Sequence, residues 1–381
     1  MFEIIFWLSL IAIVYAYIGY TIMLFPIAMF IKREKCNDKK DELPNVSLII
    51  SAYNEEKVIE EKLENSLQLD YPKNMLEIMV ISDGSDDMTE DIVRKYTDRG
   101  VTLKRYQGRI GKTACLNNAV PQAKGDVIVF SDANSKYDRY AIRELVKHFS
   151  DPSVGYVTGH TAYIESKYEE KVLPIGIYSQ IEKRTKVLES KIYSCVGADG
   201  AIFAIRKNLY RPLKDFDIND FVIPLQIVRQ GFRGVIEEKA LCIEKAAEGP
   251  RVEYDRQVRI TNRTIRAVLN NAEMLNPIKY GFYSLELISH KVFKLLSPYF
   301  AIAFFMSNAF LIQHATFYLI VFIGQLSFYT IAAIGYYEKR FRKISTLISL
   351  AVTFVMVNMA IFMGWVRYFK GDTYVTWSNR R

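Results

Sequence analysis

Hydrophobic and polar positions divide the chain into stretches with different periods. The first stretch reads FEIIFWLSLIAIVYAYIGYTIMLFPIAMFI and is apolar on every helical face, with Glu3 its only charged residue. Its length is ample for one membrane helix. Lys32, Arg33, Lys35, Lys39 and Lys40 follow it, and it has neither a basic leader nor a small-residue cleavage site. That pattern opposes a cleaved signal peptide. The cationic flank predicts that residue 32 onward is cytoplasmic. At the other end, no Asp, Glu, Lys or Arg occurs from 295 to 337, which allows two spans broken near Gln313 and His314. EKRFRK at 338–343 reads as another cytoplasmic loop, and 344–366 as a further apolar span. Three crossings would leave the tail YFKGDTYVTWSNRR outside, whereas its terminal arginines favour the inside. An apolar segment lying in the interface would reconcile the two, so two or three crossings remain open.

The middle of the chain has strand-length apolar runs alternating with helical patterns. VSLIISA, LEIMVIS, DVIVFS, AIFAI and GVIEEKALCI are the runs. Their near-continuous apolarity predicts strands buried on both faces of a mainly parallel sheet. Asn54-Glu55-Glu56 and Ser85-Asp86-Asp87 follow the first two and read as helix N-caps. The predicted organisation is a membrane helix at 1–31, a basic linker at 32–44 and an α/β domain at 45–275. An interfacial helix at 276–294 follows, containing the basic-plus-apolar SHKVFKLL, then membrane helices at 295–369 and a tail at 370–381.

Composition fits this division. The 381 residues are 50% hydrophobic and 24% charged, with mean hydropathy +0.03. That charge content is too high for a pure multi-span transporter, and the hydropathy too high for an ordinary cytosolic enzyme. Disorder is excluded by the abundance of apolar residues. Cys36, Cys115, Cys195 and Cys242 form no CxxC pair, so zinc or thioredoxin-like chemistry has no support, and they read as reduced, buried thiols. His148, His160, His290 and His314 show no ligand spacing. The net charge of +8 is partly carried by Arg251, Arg256, Arg259, Arg263 and Arg266, beside the apolar stretches. Anionic lipid and a phosphate-bearing substrate suit that placement. No nucleic-acid-binding module is present, and nucleic acid is disfavoured as a partner.

Ligands of open α/β sheets bind outside the carboxyl ends of the strands. Three such ends carry polar clusters: Ser51-Ala52-Tyr53-Asn54-Glu55, Asp83-Gly84-Ser85 and Asp132-Ala133-Asn134. Asp132 and Asn134, two residues apart, suit a hard divalent ion. They equally suit a strand-end Asx turn, and Asp83-Gly84-Ser85 a capped turn. Gly108-Arg109-Ile110-Gly111-Lys112 is a basic glycine loop before a helix, able to hold phosphate through backbone amides. Neither the P-loop spacing nor GxGxxG is present.

These motifs carry a resemblance when taken in order. SAYNEE (51–56), ISDGSDD (81–87), GRIGKTACLNNA (108–119), FSDANS (130–135), CVGADGAIFAIRK (195–207) and INDF (218–221) stand in the chain in that sequence. The stretch from 46 to 220 resembles the inverting GT-A glycosyltransferases of family 2. The flanking apolar helices resemble the membrane-embedded polysaccharide-synthase branch, which makes cellulose, chitin, hyaluronan and poly-N-acetylglucosamine. The resemblance implies an α/β GT-A (nucleotide-diphospho-sugar transferase) domain with a mainly parallel sheet and transmembrane helices at both ends. It places Ala52, Tyr53 and Glu55 at the nucleoside, Glu55 near the ribose, Asp83 at the base and Lys112 near the nucleotide end of the donor. Asp132 would bind the Mg²⁺ or Mn²⁺ that bridges the diphosphate, and Asn134 stands where a second Asp is usual. Gly197, Asp199 and Gly200 would form the acceptor-side loop.

Asp220 matches the family's catalytic base, which an inverting transfer needs in order to deprotonate the acceptor hydroxyl. The bland alternative is that Asp220 merely caps the helix after it. RQVRI (256–260) lies where processive synthases carry QxxRW. Arg259 matches the arginine and would bind the diphosphate; Arg256 stands at the Gln position and would also contact the nucleotide-sugar, while Ile260 replaces the Trp. The loss of the indole leaves processive synthesis in competition with addition of one or a few sugars to a lipid carrier. The expected partners are a nucleotide-sugar donor, expected to be a UDP-sugar, a glycan or lipid-linked acceptor, and membrane lipids. The expected location is the cell membrane, with the catalytic domain cytoplasmic. A non-catalytic membrane partner with a decayed transferase domain is the rival from another class, and Asn134 is the feature that favours it.

Overall fold

The computed structural model describes residues 1–31, 43–164, 177–245, 250–337 and 346–376. Most of the basic linker, the EKRFRK loop and the last residues of the tail lie outside them. The chain forms two compact units. One comprises Met1–Ile22, Gly249–Leu269 and Leu287–Thr373, and the other Met23–Glu248, Asn270–Glu286 and Tyr374–Arg381.

The second unit is built on one eight-stranded sheet. Its strands are β1 (Val46–Ala52), β2 (Leu76–Ser82), β3 (Val101–Arg105), β4 (Val127–Asp132), β5 (Lys136–Tyr137), β6 (Val154–Ile164), β7 (Ile202–Arg206) and β8 (Arg233–Lys245). The order is β3-β2-β1-β4-β7-β6-β8-β5. β3, β2, β1 and β4 run parallel to one another. β7 then runs antiparallel to β4 and to β6, and β6 pairs parallel with β8. The predicted parallel character therefore belongs to the first four strands, and the sheet as a whole is mixed.

Each parallel strand is an apolar run because helices and loops cover both faces. All seven residues of β1 are buried. Ser47 is tolerated there because its hydroxyl donates to Glu77 at 2.5 Å and accepts from the Gly125 amide at 2.8 Å. A buried hydroxyl without partners would cost more than it contributes.

The N-cap expectation needs correcting. The first helix begins at Ile59 and the second at Thr89, with Val58 and Met88 at their caps. Asn54 and Asp86 instead tie the two strand-end loops together, the Asn54 amide donating to Asp86 at 2.5 Å and the Asp86 amide to Asn54 at 3.0 Å. Asn54 takes the left-handed conformation, φ +53°, which asparagine accepts better than most residues. Of the predicted capping groups, Asp87 is the one that accepts from a first-turn amide, that of Thr89 at 3.0 Å.

The four helices Phe2–Phe30, Phe282–Leu311, Thr316–Tyr336 and Ile348–Phe369 are long and apolar enough to cross a membrane. The predicted break near 313–314 is present, between Leu311 and Thr316. The predicted boundary at 294/295 falls instead inside one continuous helix, after a π-helical turn at Ile288–Val292. Within the helical unit, several buried polar side chains pair with one another. Asn358 accepts from Ser297 and donates to Tyr17, both at 2.7 Å. Asn308 pairs with Gln325 at 2.8 Å. Such pairs satisfy groups that have no water to turn to and hold helices together.

Candidate active site

The carboxyl ends of the parallel strands meet at one level. Ala52 pairs with Ser82 across β1–β2, and Ser51 with Asp132 across β1–β4. The loops after these strands form one half of the candidate site. Asp83, fully buried at the end of β2, accepts the Gly111 amide on both carboxylate oxygens, at 3.0 and 3.1 Å. Burial pushes its carboxyl above the ordinary range, against the opposing effect of the Gly111 bond, Cys115 and the Ile110 amide. Asp83 thus anchors the glycine loop to the sheet. Arg109, from the same loop, lies over the Tyr53 ring at 3.9 Å, a cation–π contact that closes one wall. The Glu55 backbone is held by Thr89, whose hydroxyl accepts its amide at 2.7 Å.

The next residue after Gly111 opens a helix, Lys112–Gln122. The Lys112 ammonium donates to Asp132 at 2.5 Å. Sequence reasoning had placed this lysine near the nucleotide and had not foreseen its pairing with the expected metal ligand.

Behind Asp132 lies a residue that the sequence analysis missed. Lys62 is 1% exposed. Its ammonium donates to the Ser135 carbonyl and sits 3.9 Å over the Tyr137 ring. Ser135 in turn donates its hydroxyl to buried Glu244. Burial pushes the Lys62 pKa down to about 7, although Cys242, Asp132 and Glu244 pull it up. The network fixes the Asp132–Ser135 turn from beneath. A signal existed in the sequence. Ile59, Lys62, Leu63 and Ser66 share the buried face of helix Ile59–Leu67, so this lysine stands in a helical stripe that faces the core.

The other half is built around β6, β7 and helix Asn219–Arg229. Asp199 accepts from the Thr161 amide at 3.0 Å and hydroxyl at 2.7 Å, and from the Ala201 amide at 3.1 Å. It holds the loop that contains Gly197 and Gly200 against β6. Asp220 sits in the first turn of its helix, whose N-cap is Ile218, so it is not the capping residue. Its backbone carbonyl accepts the Ala198 amide at 2.7 Å. A Cβ built on Gly200 would fall 2.7 Å from Asp220 Oδ2. The carboxylate therefore occupies the space that a side chain at 200 would fill.

Side-chain hydroxyls are among the groups that join the halves. The Thr113 hydroxyl donates to the Asp217 carbonyl at 3.0 Å, linking the two helix starts. The Tyr137 hydroxyl donates to the carbonyls of Phe130 and Ala201, both at 3.0 Å. Ala52, Tyr53, Glu55, Asp83, Lys112, Asp132, Asn134, Gly197, Asp199, Gly200 and Asp220 all belong to this unit. Arg256 and Arg259 belong to the other, on helix Pro250–Asn270, where Arg256 pairs with Glu253 at 3.6 Å.

Among the described residues no group of three or more His, Cys, Asp and Glu side chains could hold a metal. Asp132 and Asn134 provide two oxygen donors with one charge. They fit a hard divalent ion as part of its shell, with the remainder left to phosphate and water.

Residues 47–213 match the model of glycosyl transferase family 2. Over 131 residues the chain is 37% identical to a probable glycosyltransferase, YdaM, of Bacillus subtilis, a match covering 33% of this chain and 31% of that one. Over 211 residues it is 28% identical to the poly-beta-1,6-N-acetyl-D-glucosamine synthase of Staphylococcus aureus, covering 53% and 50%. The matches thus span half or less of these curated relatives. The fold is that of a mannosyltransferase from Pyrobaculum calidifontis solved in complex with GDP-Man and Mn²⁺. The superposition has a TM-score of 0.75 at 20% identity and covers 98% of this chain and 100% of that one.

Proposed function

From the family 2 glycosyltransferase domain carried over 47–213, we propose that the chain is a membrane-bound inverting transferase. It moves a sugar from a nucleotide-sugar donor to a polysaccharide or lipid-linked glycan acceptor. The observation that carries this reading is the meeting of two half-sites: the Asp83–Gly111 loop and Asp132 on one side, Asp220 packed against Gly200 on the other.

The chemistry assigned to each group follows from its place. The start of helix Lys112–Gln122, held in place by the Asp83–Gly111 bond, presents its first-turn amides and helix dipole to the diphosphate. Tyr53 and Arg109 wall the nucleoside, and Arg259 is assigned to the diphosphate on the family pattern. Asp220 takes the proton from the acceptor hydroxyl as that oxygen attacks the anomeric carbon from the face opposite the leaving group. Asp132 and Asn134 would hold a Mg²⁺ or Mn²⁺ ion, which supplies positive charge to the departing diphosphate. Each substrate is held by its own loop, so the orientation needed for in-line attack is set before reaction.

The apolar helices at both ends embed the enzyme in the cell membrane, with its catalytic domain on the cytoplasmic side. The described tail residues 374–376 belong to the α/β unit, and the Val375 carbonyl lies 2.7 Å from the position of a Cβ on Gly111. This supports a topology in which domain and tail share one side of the membrane, with two of the three carboxy-terminal apolar helices crossing and one in the interface.

The reading is tested with a panel of UDP- and GDP-sugars, each with Mg²⁺ and Mn²⁺, given to the full-length protein in detergent. Hydrolysis or transfer of one donor supports it. Binding of no nucleotide under any condition contradicts it. Product length with the accepted donor separates a polymer from the addition of a few sugars.

A further inference from the structure

We propose that Lys112 is a built-in competitor of the divalent ion for Asp132, and that the donor's diphosphate drives the exchange. The inference rests on the reading of this site as a nucleotide-sugar site and concerns the order in which its charges assemble.

The geometry places an ammonium where a metal ligand is expected, with Lys112 Nζ 2.5 Å from Asp132 Oδ1. Both side chains are partly shielded, Lys112 at 18% exposure and Asp132 at 39%. The pair leaves no net charge, and Asn134, an amide where a second acid is usual, adds none. A divalent ion approaching the free protein meets neutral donors, and it must displace a charge-assisted hydrogen bond to reach one of the Asp132 oxygens.

The position of Lys112 leaves its ammonium in need of an anion. It is the first residue of helix Lys112–Gln122, whose first turn has no acidic residue. A cation at a helix N-terminus opposes the dipole. Asp132 offsets that repulsion, and so would a diphosphate. The Lys112 backbone is pinned, because the preceding Gly111 amide is held by both oxygens of Asp83. Only the side chain is left to move, and its flexible stem allows the ammonium to change partners without moving the loop. A diphosphate at the helix start offers the ammonium a better-placed anion and leaves Asp132 to the metal. Metal and nucleotide then bind with positive coupling, and by linkage the coupling is reciprocal.

The test is titration calorimetry with Mn²⁺ on the full-length protein in detergent, alone and with saturating UDP or GDP, whichever binds. Wild type is expected to bind Mn²⁺ about tenfold or more tightly with the nucleotide than without it. Lys112→Met is expected to bind Mn²⁺ alone about tenfold more tightly than wild type, and to bind the nucleotide about tenfold more weakly in EDTA. Lys112→Gln serves as a second variant with the same expected direction. Unchanged or weaker affinity for Mn²⁺ alone in both variants, with nucleotide still bound, overturns the exchange and leaves the donor-site reading standing. Failure of wild type to bind UDP or GDP with or without Mn²⁺ overturns both.

Discussion

The proposed donor and acceptor halves of the site use the same parts differently. Each has one aspartate committed to holding a glycine loop: Asp83 grips Gly111, and Asp199 grips the loop of Gly197 and Gly200 through Thr161 and Ala201. Each has a second aspartate to which we assign chemistry, Asp132 and Asp220. The difference lies in what faces the second acid. Asp132 faces an ammonium, which suits a group that must exchange one cation for another. Asp220 lies against Gly200, whose lack of a side chain leaves room for its carboxylate. A carboxylate's role is therefore read from its neighbours rather than from its position in a motif.

The largest expected effect comes from filling the space beside Asp220. Gly200→Ala puts a methyl group 2.7 Å from its carboxylate, and kcat should fall on the order of a hundredfold, because small displacements of a reacting group are that costly. The donor's KM should change little. Steady-state kinetics with varied donor checks this, and an unchanged kcat would break the acceptor-half account.

The loop-holding aspartates give a smaller and more selective effect. Asp83→Asn turns an amide group toward the Gly111 N–H and should weaken nucleotide binding about tenfold, with the acceptor's KM unaffected. Asp199→Asn should raise the acceptor's KM about tenfold and leave nucleotide affinity alone. If both variants damage both substrates equally, the division into halves fails.

The smallest effect is a pH dependence of stability. Lys62 has a folded pKa of about 7 against an ordinary 10.5. Between those values the unfolded chain binds more protons than the folded one, so stability should rise with pH across that window. Below about pH 7 the lysine is charged in both states, and its burial cost is constant. Lys62→Met should lack the rise. Thermal unfolding of both proteins at pH 7 and 9.5 measures it, and parallel behaviour would show that Lys62 titrates normally.

Much of the frame was legible in the sequence. VSLIISA and LEIMVIS match β1 and β2 residue for residue, because strands covered on both faces leave an unbroken apolar signature. β3 was hidden because its VTLKR lies at the sheet edge and is only half apolar. β6, VGYVTGHTAYI, was hidden because its glycines, threonines and histidine interrupt the run. Gly155 and Gly159 are there because neighbouring elements approach too closely for a Cβ, a constraint set by other parts of the chain. The site residues were legible by type and order. Their partners were not, since Lys112 on Asp132 and Lys62 beneath Ser135 depend on how separate loops meet. Lysine also reads as a solvent-facing residue until its place in a buried stripe is noticed.

The central claim is that Asp220 is the base of a sugar transfer, and Asp220→Asn tests it most directly. Transfer from the accepted nucleotide-sugar and nucleotide affinity are measured side by side on the full-length protein. The account predicts transfer reduced by at least about a thousandfold, with nucleotide affinity within a few-fold of wild type. Transfer at the wild-type rate in that variant would contradict it.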